Sequence, residues 1–202
     1  MKNYLPIILS LITYWIDGPP ILYLLYIILF LVLGKYSDAY ETKGTPFGNQ
    51  INNIVSFFKL IRLQNLIIVA LTQLIIKFSL INQFLDNFLL SNNQFYLLVL
   101  ATVFITASGY IINDIYDVKT DKINKDASRI IGKSITSRNA ITWYIIFNFL
   151  GLGLGIYTSY LVKQPYYSLI FIYCIFSLWT YSKRMKTSFL FGNLQVSLLT
   201  AL

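Results

Sequence analysis

The sequence predicts an all-α integral membrane protein, built as a bundle of several spanning helices. Of its 202 residues, 56% are apolar and only 12% are charged, whereas about a quarter of the residues in a soluble domain are charged. Several apolar runs approach the length of roughly 20 residues that a helix needs to cross a bilayer. Segments rich in Lys and Arg separate these runs, as is typical of loops between spans.

From residue 66 onward the apolar runs follow one another with short polar breaks. We predict spans at 66–81, 95–112, 141–162 and 166–181, and a further span that begins near Ser188. This last run is still apolar at Leu202, so we expect the chain to be a fragment of a longer protein. Residues 54–202 are the predicted principal domain, incomplete at its carboxyl end.

The first 53 residues are predicted to be a separate region. Two apolar runs, 5–16 and 21–33, are each short for a span, and the sequence DGPP between them interrupts a continuous helix. One kinked span and a re-entrant hairpin are both compatible with this pattern. The more polar residues 34–53 are interpreted as a linker.

Basic residues indicate which loops face the cytoplasm. They precede the first clear span, fill the loop between the second and third, and follow the fourth, so the positive-inside rule places all three segments on the cytoplasmic side. We expect a multi-pass protein of the bacterial inner membrane. Because the net charge of +8 is spread over these loops and forms no basic face, a nucleic-acid partner is not expected.

Missing residue types narrow the chemistry of the chain. It has no histidine, and its single cysteine, Cys174, lies in an apolar run. An intramolecular disulfide, the usual zinc sites and histidine acid–base catalysis are therefore excluded for these residues. Carboxylates, amides, Lys, Arg, Tyr and a cation held by oxygen remain as candidates.

Acidic residues gather in one segment, SGYIINDIYDVKTDKINKDASR at 108–129, where the second predicted span ends. At about 100° per residue, a helix places Asp117 and Asp121 within about 60° of Asp114. Asn113 and Asn124 fall on the same side, within about 100° of Asp114. Five oxygen-bearing side chains are therefore predicted to share one face of a helix.

Three carboxylates on one face repel one another near a membrane unless a cation lies between them. Mg²⁺ takes oxygen ligands, and proteins commonly hold it with one or two carboxylates and phosphate oxygens. We therefore predict a Mg²⁺–diphosphate site in which Asp114, Asp117 and Asp121 are the catalytic and metal-binding residues. Arg129 and Lys133, downstream, are predicted to balance the remaining phosphate charge.

A solvated helix end is the alternative interpretation of this segment. Lys119, Lys122 and Lys125 interleave with the acids and can pair with them. The number of oxygen-bearing side chains on one arc, which also includes Tyr110 one turn earlier, favours the metal site. Asp126 lies off the arc and is interpreted as a loop charge.

The acidic segment resembles the first signature of the UbiA-type intramembrane prenyltransferases, N-D-x-x-D-x-x-x-D, which begins here at Asn113 and is followed by RIIGKSIT at 129–136. Upstream, IRLQN resembles the Arg and Asn of the family's first helix, at Arg62 and Asn65. Downstream, YSKRMK and FGN resemble the segment after the fourth span. The resemblance implies a two-bundle fold of two four-helix halves plus a final helix, of which this chain would hold the first half. It also implies Mg²⁺-dependent transfer of a prenyl group from a prenyl diphosphate.

The resemblance also implies a set of diphosphate-binding residues. This predicted set contains Asn65, Asn113, Asn124, Arg129, Lys133, Tyr181, Lys183, Arg184 and Lys186. Two features depart from the family pattern: Ile130 stands where many members have proline, and no Asp or Glu follows Asp126, where the family has a second carboxylate motif. We therefore expect these residues to supply half of the metal site.

Prenyl transfer within the membrane is the leading functional prediction. The acceptor is predicted to be an aromatic quinone or haem precursor or a glycerol-phosphate lipid. Two alternatives stay open: an inactive fragment of such an enzyme, and a transporter whose acids line an ion path, although the acids here gather at one end of one span. The sequence GLGLG at 151–155 is interpreted as a helix-packing surface.

Overall fold

A computed structural model describes residues 46–82, 90–124, 129–185 and 188–201. Within these ranges the chain is helical, with short turns and no strand, which confirms the predicted all-α class. The two amino-terminal apolar runs and most of the expected linker lie outside the described residues, as do Asp126 and Lys186. The division of the chain at residue 53 stays a prediction.

The described residues form six α-helices and two short helical segments of other types. The α-helices are α1 (Pro46–Leu60), α2 (Leu63–Ile75), α3 (Asn92–Asn124), α4 (Ser137–Leu161), α5 (Ser168–Lys183) and α6 (Phe189–Ala201), with a π-helical segment at Ile76–Ile81 and a 3₁₀ turn at Pro165–Tyr167. The five predicted spans correspond to α2 with its π-helical extension, α3, α4, α5 and α6. Residues 46–53, expected to be linker, form the start of α1, and the predicted boundary at 53 falls inside this helix.

Length and composition allow α3 and α4 to cross a membrane as single helices. The pair Asn53–Leu60 and Leu63–Ser79 passes the same criteria as a unit, with a bend of 49° at the break. Large apolar side chains such as Phe149 on α4 are exposed, as expected for helices that face lipid. The chain is therefore described as an integral membrane protein.

Small residues set the distance between α3 and α4. A Cβ atom at Gly151 would lie 2.6 Å from Cγ1 of Ile105 and 3.1 Å from the carbonyl oxygen of Ala101. One turn further along α3, Ser108 Oγ lies 3.1 Å from Oδ1 of Asn148 and donates a hydrogen bond to it. From the first contact to the second, the residue number increases on α3 and decreases on α4. The two helices are therefore antiparallel and in close contact.

The next interface brings α5 against both of these helices. A Cβ atom at Gly155 would lie 2.5 Å from the ring of Phe171, so α4 and α5 also approach closely. On α3, Gly109 faces Leu178 of α5, with 3.0 Å between a built Cβ and Cδ1. The helix-packing prediction for GLGLG is thus confirmed at Gly151 and Gly155. Successive antiparallel packing makes α3 and α5 parallel to each other.

The main cluster of buried apolar residues lies towards the aspartate-bearing end of α3. Leu60 and Ile61, at the junction of α1 and α2, pack there with Ile111 of α3. Ile131 and Ile135, from the turn between α3 and α4, belong to the same cluster and are 2% and 8% exposed. This packing fixes the helix junction and the turn beside the end of α3.

We expect the substitution Gly151→Ala to destabilise the fold by about 1–3 kcal/mol, because the added methyl group would overlap Ile105 and the Ala101 carbonyl. Gly153→Ala is the matched control, since no atom lies within 4 Å of a Cβ built at Gly153. Denaturant unfolding of the two variants in the same micelles measures the difference. Equal stability of the two would contradict the packing described for Gly151.

Candidate active site

Helix α3 runs without a break from Asn92 to Asn124, so the predicted oxygen-bearing residues lie on one continuous helix. Asn113 Nδ2 donates a hydrogen bond to Asp117 Oδ2 over 3.0 Å. Tyr110 and Asp114, also four residues apart, both contact Arg62. These two i, i+4 relations confirm the predicted common face over two turns of the helix.

Arg62 is the residue that joins this face to the rest of the bundle. Its Nη2 lies 3.0 Å from Oδ1 of Asp114 and forms an ion pair and hydrogen bond with it. Its guanidinium carbon lies 4.8 Å from the ring centroid of Tyr110, within the range of a cation–π interaction. The Asp114 side chain is 21% exposed and that of Arg62 is 43% exposed, so a solute can still reach the pair.

The position of Arg62 follows from the break between α1 and α2. Its backbone has left-handed values, φ 51° and ψ 55°, which cost a non-glycine residue about 1–2 kcal/mol. The Arg62 amide donates to the Lys59 carbonyl, and the Arg62 carbonyl accepts from the Asn65 amide at 2.8 Å. Burial of the neighbouring Leu60 and Ile61 and the ion pair with Asp114 offset this cost.

The turn after α3 is closed by its own backbone. The carbonyl oxygen of Ile130 accepts from the amides of Lys133, Ser134 and Ile135 at 3.2, 3.0 and 3.2 Å. The amide of Gly132 donates to the Ile135 carbonyl at 2.8 Å. Four successive amide groups are therefore already bonded, and the exposed residues 132–134 are presented from a compact turn.

Gly132 fits this turn for two reasons. Its φ of +85° belongs to the left-handed region that favours glycine, and a Cβ there would lie 2.8 Å from Nη1 of Arg129. The turn leads into α4, where Thr136 Oγ1 accepts a hydrogen bond from the Asn139 amide and caps the helix. Arg129 is thus packed against the turn that also carries Lys133.

The carboxyl end of α5 lies level with Asp114, ten residues before α3 ends. Gly109 of α3 is in contact with Leu178 of α5. Because the two helices are parallel, the residues five positions further along each, Asp114 and Lys183, both lie about 7.5 Å beyond this contact. Tyr181 lies within about 60° of Leu178 and so shares the side of α5 that faces α3. Lys183 is about 140° away, and its Nζ lies 4.6 Å from the ring centroid of Trp179.

The remaining predicted residues in the described ranges are Asp121, Asn65, Asn124 and Arg184. Asp121 is near enough for its negative charge to act on Asp114. Asn65 and Asn124 are exposed, on α2 and at the end of α3. Arg184, also exposed, ends α5 with its amide bonded to the Thr180 carbonyl. The predicted binding set does not contain Arg62 or Tyr110. The sequence nevertheless points to both, because Arg62 belongs to the motif IRLQN and Tyr110 lies on the helical arc of the aspartates.

Within the described ranges no three Asp, Glu, His or Cys side chains converge as a metal-binding group. The reason is geometric, since Asp114 and Asp121 are separated by about 10 Å of helix axis. The donor atoms nevertheless fit Mg²⁺, because they are carboxylate and amide oxygens and this ion is commonly held by one or two carboxylates. Neighbouring pairs of these aspartates, rather than all three together, fit one ion.

Fold and cluster together define a helical membrane protein whose acidic, amide and basic side chains meet at one end of its bundle. The chain belongs to the UbiA prenyltransferase family, because the model of that family matches residues 86–202, more than half of the chain. This match confirms the resemblance recognised in the acidic segment.

Curated relatives from archaea share one name. Digeranylgeranylglyceryl phosphate synthase of Saccharolobus solfataricus is 33% identical over 153 residues, which cover 74% of this chain and 50% of the relative. The synthase of the same name from Sulfurisphaera tokodaii is 34% identical over 98 residues, 48% of this chain and 34% of the relative. The chain spans about half the length of the first relative and about a third of the second.

A solved structure supports the same fold. It is described as providing structural and mechanistic insights into the biosynthesis of digeranylgeranylglyceryl phosphate synthase in membranes. Its TM-score with this chain is 0.62 at 27% identity, and the match covers 73% of this chain and 50% of that one. The similarity confirms the predicted fold class, a helical membrane bundle of the UbiA type.

We expect Gly132→Ala to weaken binding at the predicted diphosphate site about tenfold, because the new methyl group displaces the Arg129 guanidinium and strains the backbone. Ser134→Ala, in the same exposed turn, is the control and should bind like the unmodified protein. Titration with inorganic pyrophosphate in nanodiscs measures both variants. Unchanged pyrophosphate affinity in Gly132→Ala would show that this turn takes no part in diphosphate binding.

Proposed function

We propose that this protein transfers a prenyl group from a prenyl diphosphate to a glycerol-phosphate lipid within the membrane. One observation carries the proposal: the oxygen-bearing face of α3 lies against Arg62 at the end of the bundle where the basic turn 129–133 is also located. Carboxylates suit a hard cation and guanidinium groups suit phosphate oxygens. Membership of the UbiA prenyltransferase family supports prenyl transfer as the chemistry.

The choice of acceptor rests on the relatives. Their shared name describes synthesis of a glyceryl phosphate that carries two geranylgeranyl groups. This favours a glycerol-phosphate lipid over the quinone and haem precursors that the sequence left open, and it favours a geranylgeranyl diphosphate as donor. Both substrates are amphiphiles, so a site at one end of a membrane bundle can receive their phosphates while their chains lie among apolar helices.

We assign binding of the cation to the aspartates. Among Asp114, Asp117 and Asp121, a neighbouring pair would hold each Mg²⁺ ion, and the hydrogen bond from Asn113 keeps the Asp117 carboxylate oriented on the common face. When bound, Mg²⁺ would neutralise negative charge on the diphosphate leaving group. The carboxylates themselves would hold the ion on the common face, and Asn124 would offer a further amide oxygen about one turn beyond Asp121.

We assign binding of the diphosphate to the basic and hydroxyl side chains. Arg129 and Lys133 present positive charge from the compact turn, and Tyr181 lies on the side of α5 that faces α3. The same role is proposed for the flanking predicted residues Asn65, Lys183, Arg184 and Lys186. Together these side chains would orient the diphosphate so that the allylic carbon faces the acceptor among apolar groups, away from water.

We further propose that the aspartate end of α3 faces the cytoplasm. The basic residues that flank it favour that side by the positive-inside rule. The relatives described above are archaeal, so they lend no support to the bacterial membrane expected from the sequence. The proposal is limited to the cytoplasmic membrane of the cell that makes the protein.

Removing one carboxylate tests the metal assignment. We expect Asp117→Asn to abolish Mg²⁺-dependent binding and turnover of geranylgeranyl diphosphate, with at least a hundredfold loss, because one charged ligand of the ion is replaced. Asp126→Asn is the matched control, since the sequence predicts Asp126 to be a loop charge outside the aspartate cluster. Near-normal Mg²⁺ dependence in Asp117→Asn would overturn the assignment.

A competition between acceptors tests the proposed substrate. Vesicles containing the protein receive radiolabelled geranylgeranyl diphosphate, Mg²⁺ and equal amounts of geranylgeranylglyceryl phosphate and 4-hydroxybenzoate, with haem in a parallel assay. We expect label in the glyceryl phosphate lipid in at least tenfold excess over the other acceptors. Preferential labelling of an aromatic acceptor would contradict the acceptor, and no transfer to any of them would contradict activity of these 202 residues.

A further inference from the structure

Arg62 is paired with Asp114, a carboxylate to which the proposed function assigns binding of a cation. Its Nη2 lies 3.0 Å from Asp114 Oδ1, a distance typical of a charge-assisted hydrogen bond. A cation that approaches this oxygen therefore meets a guanidinium group already in contact with it. The two positive charges compete for one carboxylate and also repel each other.

We propose that Arg62 is a displaceable counter-ion, which holds Asp114 in the resting site and passes to the diphosphate when a divalent cation takes its place. The inference rests on the proposed function and adds to it an order of events. A cation alone must break the ion pair without compensation. A cation that arrives with a diphosphate supplies Arg62 with new phosphate partners.

The exposure of the pair makes the exchange feasible. The side chains are 43% and 21% exposed, and ion pairs with such access to solvent stabilise proteins only weakly. Arg62 is therefore held firmly enough to position Asp114 and weakly enough to be displaced. A fully buried pair would resist the exchange, because separating its charges leaves each of them without solvation.

The surroundings of Arg62 limit its movement to the side chain. Leu60 and Ile61, the two residues before it, are 0% and 6% exposed and fix the backbone in the apolar cluster. The ring of Tyr110, 4.8 Å from the guanidinium carbon, gives the displaced group a surface on which to remain. The guanidinium fork then faces phosphate oxygens with several donors, an arrangement that a lysine cannot reproduce.

Two separate titrations of the protein in nanodiscs test the inference. Mn²⁺ alone is titrated and followed by electron paramagnetic resonance, and inorganic pyrophosphate alone is titrated in the presence of a chelator. We expect Arg62→Gln to bind Mn²⁺ about threefold to fivefold more tightly, since the competing ion pair is removed. The same variant should bind pyrophosphate about tenfold more weakly, because a phosphate partner is lost.

Opposite changes in the two affinities distinguish this role from a structural one, which would weaken both. Arg138→Gln removes a positive charge from an exposed position near the start of α4 and measures the general electrostatic effect. Arg62→Lys keeps the charge without the fork, so its Mn²⁺ affinity should stay close to that of the unmodified protein. Circular dichroism and size-exclusion chromatography verify that each variant is folded.

Unchanged or weaker Mn²⁺ binding in folded Arg62→Gln would overturn the counter-ion role, and so would an increase no larger than in Arg138→Gln. The proposed function would survive that result if the unmodified protein binds both probes and Asp117→Asn does not bind Mn²⁺. Failure of the unmodified protein to bind either probe would instead remove the proposed function itself. The two failures are therefore distinguishable.

Discussion

The close contact between α3 and α4 is the constraint on which the geometry of the site depends. In lipid there is little hydrophobic driving force between helices, so association relies on tight packing of backbones and on polar contacts such as that between Ser108 and Asn148. Gly151 permits this approach because it adds no side chain against the Ala101 carbonyl. Ile131 and Ile135, which lie in the turn before α4, then pack in the same apolar cluster as Leu60, Ile61 and Ile111, so the turn is held at the end of the bundle where Arg62 meets Asp114.

Features that depend on local geometry were predictable from the sequence. The helical repeat placed Asn113 and Asp117 on one face, and the structure joins them by a hydrogen bond. Apolar length gave the spans, and alternating glycines gave the packing surface, although Gly153 has no neighbour within 4 Å. In each case residues a few positions apart determine the outcome, so periodicity is sufficient.

Features that depend on distant parts of the chain were not predictable in the same way. Arg62 and Asp114 are 52 residues apart, and their pairing requires a left-handed residue at the break between α1 and α2. No local preference of Arg indicates such a conformation. The side of α5 that faces α3 is a similar case, because it is set by the contact between Gly109 and Leu178, which are 69 residues apart.

The turn between α3 and α4 has a consequence for how an anion is recognised. Glycine-rich phosphate loops bind through a row of free amide groups on a rigid backbone, but the amides from Gly132 to Ile135 are already occupied. Under the proposed function, the contribution of this turn to anion recognition therefore falls to the side chains of Arg129 and Lys133, whose attraction weakens as salt screens it. Long side chains of this kind would accommodate changes in the shape and charge of a phosphate group more readily than a fixed row of backbone amides.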